Sequence, residues 1–154
     1  MSVLEKQVTP TGAKAYQRES AADRSLPFKT WHRTLDRRLY ATDIDLIEWG
    51  MKEGEFVPVG VLELTRTDSD DVPPSYLKAI LDRFRVRDSQ QKTIKTVSRH
   101  LQAPAFIVLF NVNCTRFWVY SFSGPSPDKW YSLNAAGMIN FLRKLREKKG
   151  CAIQ

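Results

Sequence analysis

The sequence predicts a mixed α/β fold in which a sheet of four or five strands is flanked by helices. Three observations indicate this class. Residues 105–112 are apolar except for Asn111, which is typical of a central strand covered on both faces. Four segments carry apolar residues at helical spacing, and their order with the strands is α-β-β-α-α-β-β-α. The chain of 154 residues is long enough for one domain with a sizeable core.

The N-terminal part is predicted to be a loose segment followed by helices. Residues 1–12 are polar and turn-rich, and a single domain is expected over 13–154. A weakly amphipathic helix is predicted over 13–25 and a second helix over 28–39. The expected inward face of the second helix is Phe28, Trp31, Leu35 and Leu39.

Two β-strands are predicted next, over 41–49 and 57–65, with a Gly-containing hairpin loop at 50–55. Both strands carry carboxylates in the middle of segments that should be core. A buried carboxylate is costly unless a cation or hydrogen bonds compensate it. The sequence therefore indicates a candidate functional site at this hairpin.

The carboxylates of the two strands are expected to lie side by side. Side chains alternate between faces, so Asp43 and Asp45 share one face of the first strand, and Glu63 and Thr65 share one face of the second. If facing residue numbers sum to 108, Asp45 lies opposite Glu63; if they sum to 106, Asp43 does. Opposed Cβ atoms are about 4.5–5.5 Å apart, within reach of one shared ion. Hard cations such as Mg²⁺ prefer such oxygen ligands.

The second half of the chain is predicted to be helix, helix, strand, strand, helix. Ser75 is the expected cap of the first of these helices, and Asp88 with Gln91 forms a capping-box pair at the start of the second. Strands are expected over 105–112 and 116–122. The expected inward residues of the two helices are Leu77, Ile80, Leu81 and Phe84, then Ile94, Val97 and Leu101.

The last predicted element is a helix that Ser132 caps and that runs to about residue 149. Its expected inward residues are Ala135, Met138, Ile139, Leu142 and Leu145.

Composition restricts the class of protein. The net charge of +7 favours a polyanionic partner or an acidic membrane surface. No apolar run approaches the roughly 20 residues of a membrane helix, and residues 1–7 lack a secretory apolar core. Cys114 and Cys151 have no metal-ligand spacing, so neither a zinc site nor a disulfide framework is expected. These observations predict a cytoplasmic protein that is not inserted in a membrane.

The acidic hairpin resembles the PD-(D/E)XK nuclease superfamily, the restriction-endonuclease-like proteins that include Holliday-junction resolvases. The similarity covers about residues 28–122 and depends on Asp45 in Asp-Ile-Asp-Leu-Ile and Glu63 in Val-Leu-Glu-Leu-Thr. The resemblance implies a restriction-endonuclease-like fold and hydrolysis of DNA. It also implies a Mg²⁺ or Mn²⁺ ion held by Asp45 and Glu63, with Asp43 as a further candidate ligand. Many members work as dimers, so a homodimer stays open.

Thr65 stands where the family usually has a lysine. The resemblance would make that lysine the activator of the attacking water. A lysine of the helix after Asp88 is an alternative source of positive charge, with Lys92 or Lys95 as the candidate.

The helix that follows Asp88 carries a one-sided basic stripe, which consists of Lys92, Lys95 and Arg99. The stripe is either a nucleic-acid contact or a solvated helix face. Gln90 and Gln91 at the helix start are candidates for hydrogen bonds to phosphate or to a metal-bound water.

Three functions stay open from the sequence. The first is a Mg²⁺-dependent endonuclease, and the second is a catalytically inactive member of the same fold that binds nucleic acid or inhibits a partner. The third is a basic α/β domain unrelated to nucleases. For the acidic residues, the alternative to a metal site is ion pairing with Arg37, Arg38 or Arg66.

Overall fold

The computed structural model describes residues 25–87, 90–122 and 129–152. The chain divides into two compact units, Met1–Ala41 and Thr42–Gln154. In the described residues, the first unit contains helix α1, Leu26–His32. The second contains β1 (Leu46–Lys52), β2 (Glu55–Thr67), α2 (Pro74–Asp82) with a π-helical turn (Arg83–Arg87), α3 (Gln90–Leu101), β3 (Ala105–Asn111), β4 (Arg116–Ser121), β5 (Trp130–Asn134) and α4 (Ala135–Lys148). The predicted mixed α/β class is confirmed.

Helix α1 is shorter than the helix predicted over 28–39. Local hydrogen bonds explain its early end: the Thr34 hydroxyl donates to the Trp31 carbonyl at 2.6 Å, and Asp36 accepts from the Arg38 backbone N–H at 2.9 Å. Such side-chain bonds compete with the helical ladder. The prediction that Trp31 is a core residue is wrong, because its side chain is 55% exposed. The loose segment 1–12 and almost all of the predicted helix 13–25 lie outside the described residues.

The five strands form one mixed sheet in the order β1-β2-β3-β4-β5. Neighbouring strands are antiparallel except for β2 and β3, which are parallel and are joined through α2 and α3. Helix α4 covers one face, where its Met138 and Leu145 pack with Leu62 and Val108. Helices α2 and α3 cover the other face, which is called the α3 face below.

The inward faces predicted for α2 and α3 are confirmed. The α3 face of the sheet buries Val61, Ile107 and Leu109. The helical residues that pack there are Leu77, Ile80, Leu81, Phe84, Ile94, Val97 and Leu101. Asp88 of the predicted capping box lies outside the described residues.

Two of the predicted helix caps, Ser75 and Ser132, are wrong. Helix α2 begins with Pro74 directly after Pro73, so its start precedes Ser75. Proline suits the first helical position because its φ is already helical and its missing N–H would be unpaired there. Ser132 lies in β5, a strand that the sequence analysis missed, and pairs with Trp118. Helix α4 is capped instead by Asn134, whose side chain accepts the Gly137 N–H at 2.8 Å.

From Leu46 to Glu48, β1 pairs with β2 in the register in which residue numbers sum to 108, one of the two registers that the sequence left open. Leu46 pairs with Leu62 and Glu48 with Gly60. The turn consists of Glu53 and Gly54, both with positive φ, which is the type I′ geometry that matches the twist of the flanking strands. The loop is therefore two residues long rather than the predicted six.

A β-bulge interrupts the hairpin after Glu48. The partner of Glu48 is Gly60 but the partner of Trp49 is Pro58, so β2 contains one additional residue, Val59. Val59 is fully buried in the core beneath α4. Beyond the bulge the alternation of β2 is shifted by one residue.

Two polar contacts fix the ends of the sheet. Arg146 of α4 donates to Glu48 of β1 at 2.6 Å, which ties the last helix to the edge strand. Asn111 is buried at the end of β3, where it donates to Asp70 and accepts the backbone N–H groups of Thr115 and Arg116. The β3–β4 turn is thereby attached to the acidic loop after β2.

Among the helices of the described part of the chain, none is long and apolar enough to cross a membrane.

Candidate functional site

Glu63 is the central residue of the candidate site. It lies on β2 and is buried, with 6% of its surface exposed. Alternation along β2 puts Glu63 on the α3 face with Val61, which packs against Ile94 of α3. Parallel pairing places Glu63 beside Ile107 of β3. The carboxyl group is thus held in the apolar layer between the sheet and the helices.

Asp45 lies next to Glu63, but it does not belong to a strand. The strand predicted over 41–49 begins only at Leu46, so that part of the prediction is wrong. The reason is chemical: the side chain of Asp45 accepts the Leu64 N–H at 2.8 Å. In the 108 register the backbone carbonyl of Ile44 would be the partner of that N–H. The carboxylate of Asp45 thus takes the place of the next backbone hydrogen bond between the two strands.

The two carboxyl groups interact directly. The pKa of Glu63 is raised to about 8, first by burial, then by the charge of Asp45, by a hydrogen bond between the two side chains, and by the charge of Asp43. All four causes act in the same direction. Near neutral pH the pair therefore retains a proton between its carboxyl groups, as expected for two carboxylates that share a site.

Two of the arginines that the sequence analysis offered as partners for the acidic cluster pair with other carboxylates. Arg38 binds Asp36 through its guanidinium at 3.0 Å. Arg66 lies 3.6 Å from Asp68. Both of these arginines therefore have carboxylate partners elsewhere.

The donor set fits a hard divalent cation that substrate or water helps to coordinate. In residues 25–87, 90–122 and 129–152, no three His, Cys, Asp or Glu side chains converge closely enough to hold a metal ion. Asp45 and Glu63 form a pair, and Asp43 acts on Glu63 through its charge. Mg²⁺ in proteins is usually bound by one or two carboxylates together with water and phosphate oxygens. The pair of buried Glu63 and exposed Asp45 fits that pattern.

The other predicted site residues lie on β2 and on α3. Thr65 is half-buried on the α3 face of β2, two residues beyond Glu63. Gln90 and Gln91 are half-buried in the first turn of α3. The basic stripe, Lys92, Lys95 and Arg99, is exposed on the side of α3 away from the sheet. A contact of Thr65 or the stripe with substrate stays a prediction.

Two features of the site were missed by sequence reasoning. The backbone N–H of Leu64 orients Asp45, and no sequence signal identifies a main-chain donor. Trp49 and Phe56 carry exposed rings on the hairpin. The sequence contained an indication of this exposure. Two large apolar residues lie close to the turn of the hairpin, where few other residues are available to bury them.

Comparison with protein families, with curated proteins and with solved structures finds no match to this chain. A mixed α/β fold hosts many unrelated activities, so it does not assign a function by itself. The assignment depends on the chemistry of the carboxyl pair.

Proposed function

We propose that this chain is a metal-dependent, nuclease-like protein that hydrolyses phosphodiester bonds of DNA, with a restriction-endonuclease-like fold. Asp45 and Glu63 are its proposed ligands for Mg²⁺ or Mn²⁺, with Asp43 as an additional acidic residue. The observation that supports this most directly is the contact of the Asp45 and Glu63 side chains where the hairpin meets the α3 face. The free thiols of Cys114 and Cys151 are compatible with the proposed cytoplasmic location.

The protein contributes a preformed pair of ligands. Glu63 is fixed by burial and Asp45 by the Leu64 N–H, so neither carboxyl group needs to be ordered when a cation binds. When bound, a divalent cation supplies Lewis-acid polarisation of the phosphate and a lower pKa for a coordinated water. The proton that the pair shares would be released at the same time.

The basic stripe on α3 supports a polyanionic substrate. Lys92, Lys95 and Arg99 are exposed on the helix that covers the face carrying Glu63. Cations at such positions neutralise phosphates and release counterions, which gives sequence-independent affinity. Lys92 and Lys95 are also the proposed substitutes for the positive charge that Thr65 does not provide.

Thr65 favours a second candidate function, a catalytically inactive module that binds nucleic acid. Its side chain follows Glu63 on the same face, where it can orient a water molecule. A hydroxyl cannot stabilise a developing negative charge as an ammonium group would. In this alternative the carboxyl pair and the basic stripe serve binding alone.

A metal titration tests the proposed ligands. Mg²⁺ or Mn²⁺ should raise the melting temperature of the native protein. At an ion concentration of 100 times the dissociation constant, the free energy of unfolding should rise by about 2.7 kcal/mol. Asp45→Asn should abolish the shift, because it removes the ligand charge at nearly constant volume. Asp68→Asn changes an exposed carboxylate outside the pair and serves as the matched control. An equal shift in Asp45→Asn would place the ion elsewhere.

Cleavage assays separate the two candidates. The active enzyme should cut plasmid, single-stranded or branched DNA with Mg²⁺, and Glu63→Ala should not. Lys92→Ala or Lys95→Ala should then cost at least about tenfold in rate. The inactive module should bind without cutting, and Thr65→Lys should introduce weak metal-dependent activity. Robust cleavage that neither lysine variant changes would require another activator of the water.

A further inference from the structure

An exposed apolar patch lies on the hairpin beyond the β-bulge. It consists of Trp49, Met51 and Phe56, which are 47%, 38% and 71% exposed. Cross-strand pairing joins Met51 to Phe56 and Trp49 to Pro58, so the side chains form one continuous surface. We call this surface the hairpin aromatic patch.

The patch lies on the same face of the sheet as the carboxyl pair. The alternate residues of β1 point the other way: Glu48 binds Arg146 of α4, and a Cβ at Gly50 would meet the Sγ of Cys151. Trp49 and Met51 therefore face the α3 side. The bulge puts Phe56 on that side too, because Val57 and Val59 both pack beneath α4.

The patch is close enough to the carboxyl pair to contact the same nucleic-acid strand. Trp49 is four residues beyond Asp45, so their Cα atoms are at most about 13 Å apart at roughly 3.3 Å per residue of extended chain. A nucleic-acid strand that lies along this face can therefore contact both the ring of Trp49 and a cation held by Asp45 and Glu63.

Charge identifies the occupant as a polyanion rather than a second copy of the chain. The chain carries a net charge of +7, and the basic stripe is exposed on the helix that covers this face. A second copy docked here would bring like charges together, whereas a nucleic acid would neutralise them. Exposed aromatic rings on a positively charged protein favour single-stranded nucleic acid, because every base has a face that stacks and the net charge attracts the backbone.

We propose that the hairpin aromatic patch stacks on unpaired bases next to the carboxyl pair, so that the preferred substrate is a nucleic acid with a single-stranded segment. This inference depends on the proposed function, and it adds the substrate class. Paired bases present only their edges and would not reach the rings. A single strand, a flap or a branch point would.

Binding to oligonucleotides tests the inference. Affinities of the wild type, Trp49→Ala and Phe56→Ala are measured in EDTA by fluorescence anisotropy, with single-stranded DNA, single-stranded RNA and blunt duplex DNA of roughly 16 nucleotides per strand. Each substitution should weaken single-strand binding by between about fivefold and about a hundredfold and leave duplex binding nearly unchanged. The slope of log affinity against log salt should stay constant, because stacking releases no counterions. The DNA and RNA arms show which sugar the site accepts.

Controls make each result decisive. Tyr131→Ala removes an exposed ring from β5 at the opposite edge of the sheet and should change nothing. Trp49→Phe should retain most of the affinity. Equal single-strand binding by wild type and both alanine variants would overturn the inference, while metal-dependent cleavage by the wild type would still uphold the proposed function. Sedimentation that shows a wild-type dimer and a monomeric Trp49→Ala would assign the patch to self-association and also overturn it.

Discussion

Burial of Glu63 should make the stability of this protein depend on pH in a way that one isosteric substitution removes. The pKa of Glu63 is raised from 4.5 to about 8, with burial as the largest cause and Asp45 as the next. The unfolded chain loses this proton near pH 4.5, whereas the native state keeps it until about pH 8. Between these values the native state binds more protons, so unfolding free energy falls as pH rises and levels off above about pH 8.

The size of the effect follows from the same two values. At roughly 1.4 kcal/mol for each pH unit, the fall between pH 4.5 and about 8 amounts to at most about 5 kcal/mol. Glu63→Gln keeps the volume and the hydrogen-bonding shape but cannot ionise. The variant should therefore gain stability relative to the wild type as pH rises, by up to several kcal/mol at pH 8.

The assay is urea unfolding of both proteins in EDTA at several pH values between 4 and 9. The difference between them isolates residue 63, because other titrating groups are common to both. Glu55→Gln, which removes an exposed carboxylate from the same strand, is the matched control and should not reproduce the gain of Glu63→Gln. A difference between Glu63→Gln and wild type that does not vary with pH would refute the account of Glu63 as a buried carboxyl coupled to Asp45.

Two further perturbations test other parts of the molecule. Replacing Lys92, Lys95 and Arg99 together by glutamine should weaken the salt dependence of nucleic-acid binding. The slope of log affinity against log salt, measured by fluorescence anisotropy, should fall by up to about 3. The control replaces three basic residues of α4, Arg143, Lys144 and Lys148. An unchanged slope would identify the basic stripe as a solvated face. Asn111→Ala should cost about 2–4 kcal/mol of unfolding free energy, because buried hydrogen bonds to Asp70 and the β3–β4 turn are lost. Urea unfolding beside Asn113→Ala, an exposed neighbour, checks this, and equal stabilities would contradict it.

The hairpin shows what the sequence could predict. Alternating apolar residues on both strands allowed two registers, and the observed pairing of Leu46 with Leu62 belongs to the one that brings Asp45 next to Glu63. The start of β1 could not be predicted in the same way. The sequence gives no sign that the Asp45 side chain, rather than the backbone carbonyl of Ile44, accepts the hydrogen bond of the Leu64 N–H. Without that knowledge Asp45 is assigned to the strand.

The errors elsewhere have similar physical causes. Ser132 and Asn134 are both good helix caps, and the choice between them depended on β4 being available to pair with residues 130–134. Trp31 has the spacing of a core residue, but local bonds of Thr34 end the helix after one further residue. Each outcome depended on a partner that is distant in sequence or on a competing local bond.

The bulge could not be predicted because it depends on tertiary packing. At Gly60 a Cβ would lie 3.0 Å from Cδ1 of Leu145, so the close approach of α4 favours glycine there. From the sequence alone this glycine is an ordinary strand residue.

The additional residue, Val59, changes which residues of β2 face each side of the sheet. On the carboxylate side of the bulge, odd-numbered residues of β2 face α3; on the turn side, even-numbered residues do. Deleting Val59 alone would remove the bulge, because Gly60 and Pro58 would become consecutive partners of Glu48 and Trp49. Phe56 would stay opposite Met51 on the α3 face, and the core beneath α4 would lose one fully buried side chain. A homologous hairpin without the bulge should therefore have a β2 that is one residue shorter, with the same side chains on each face.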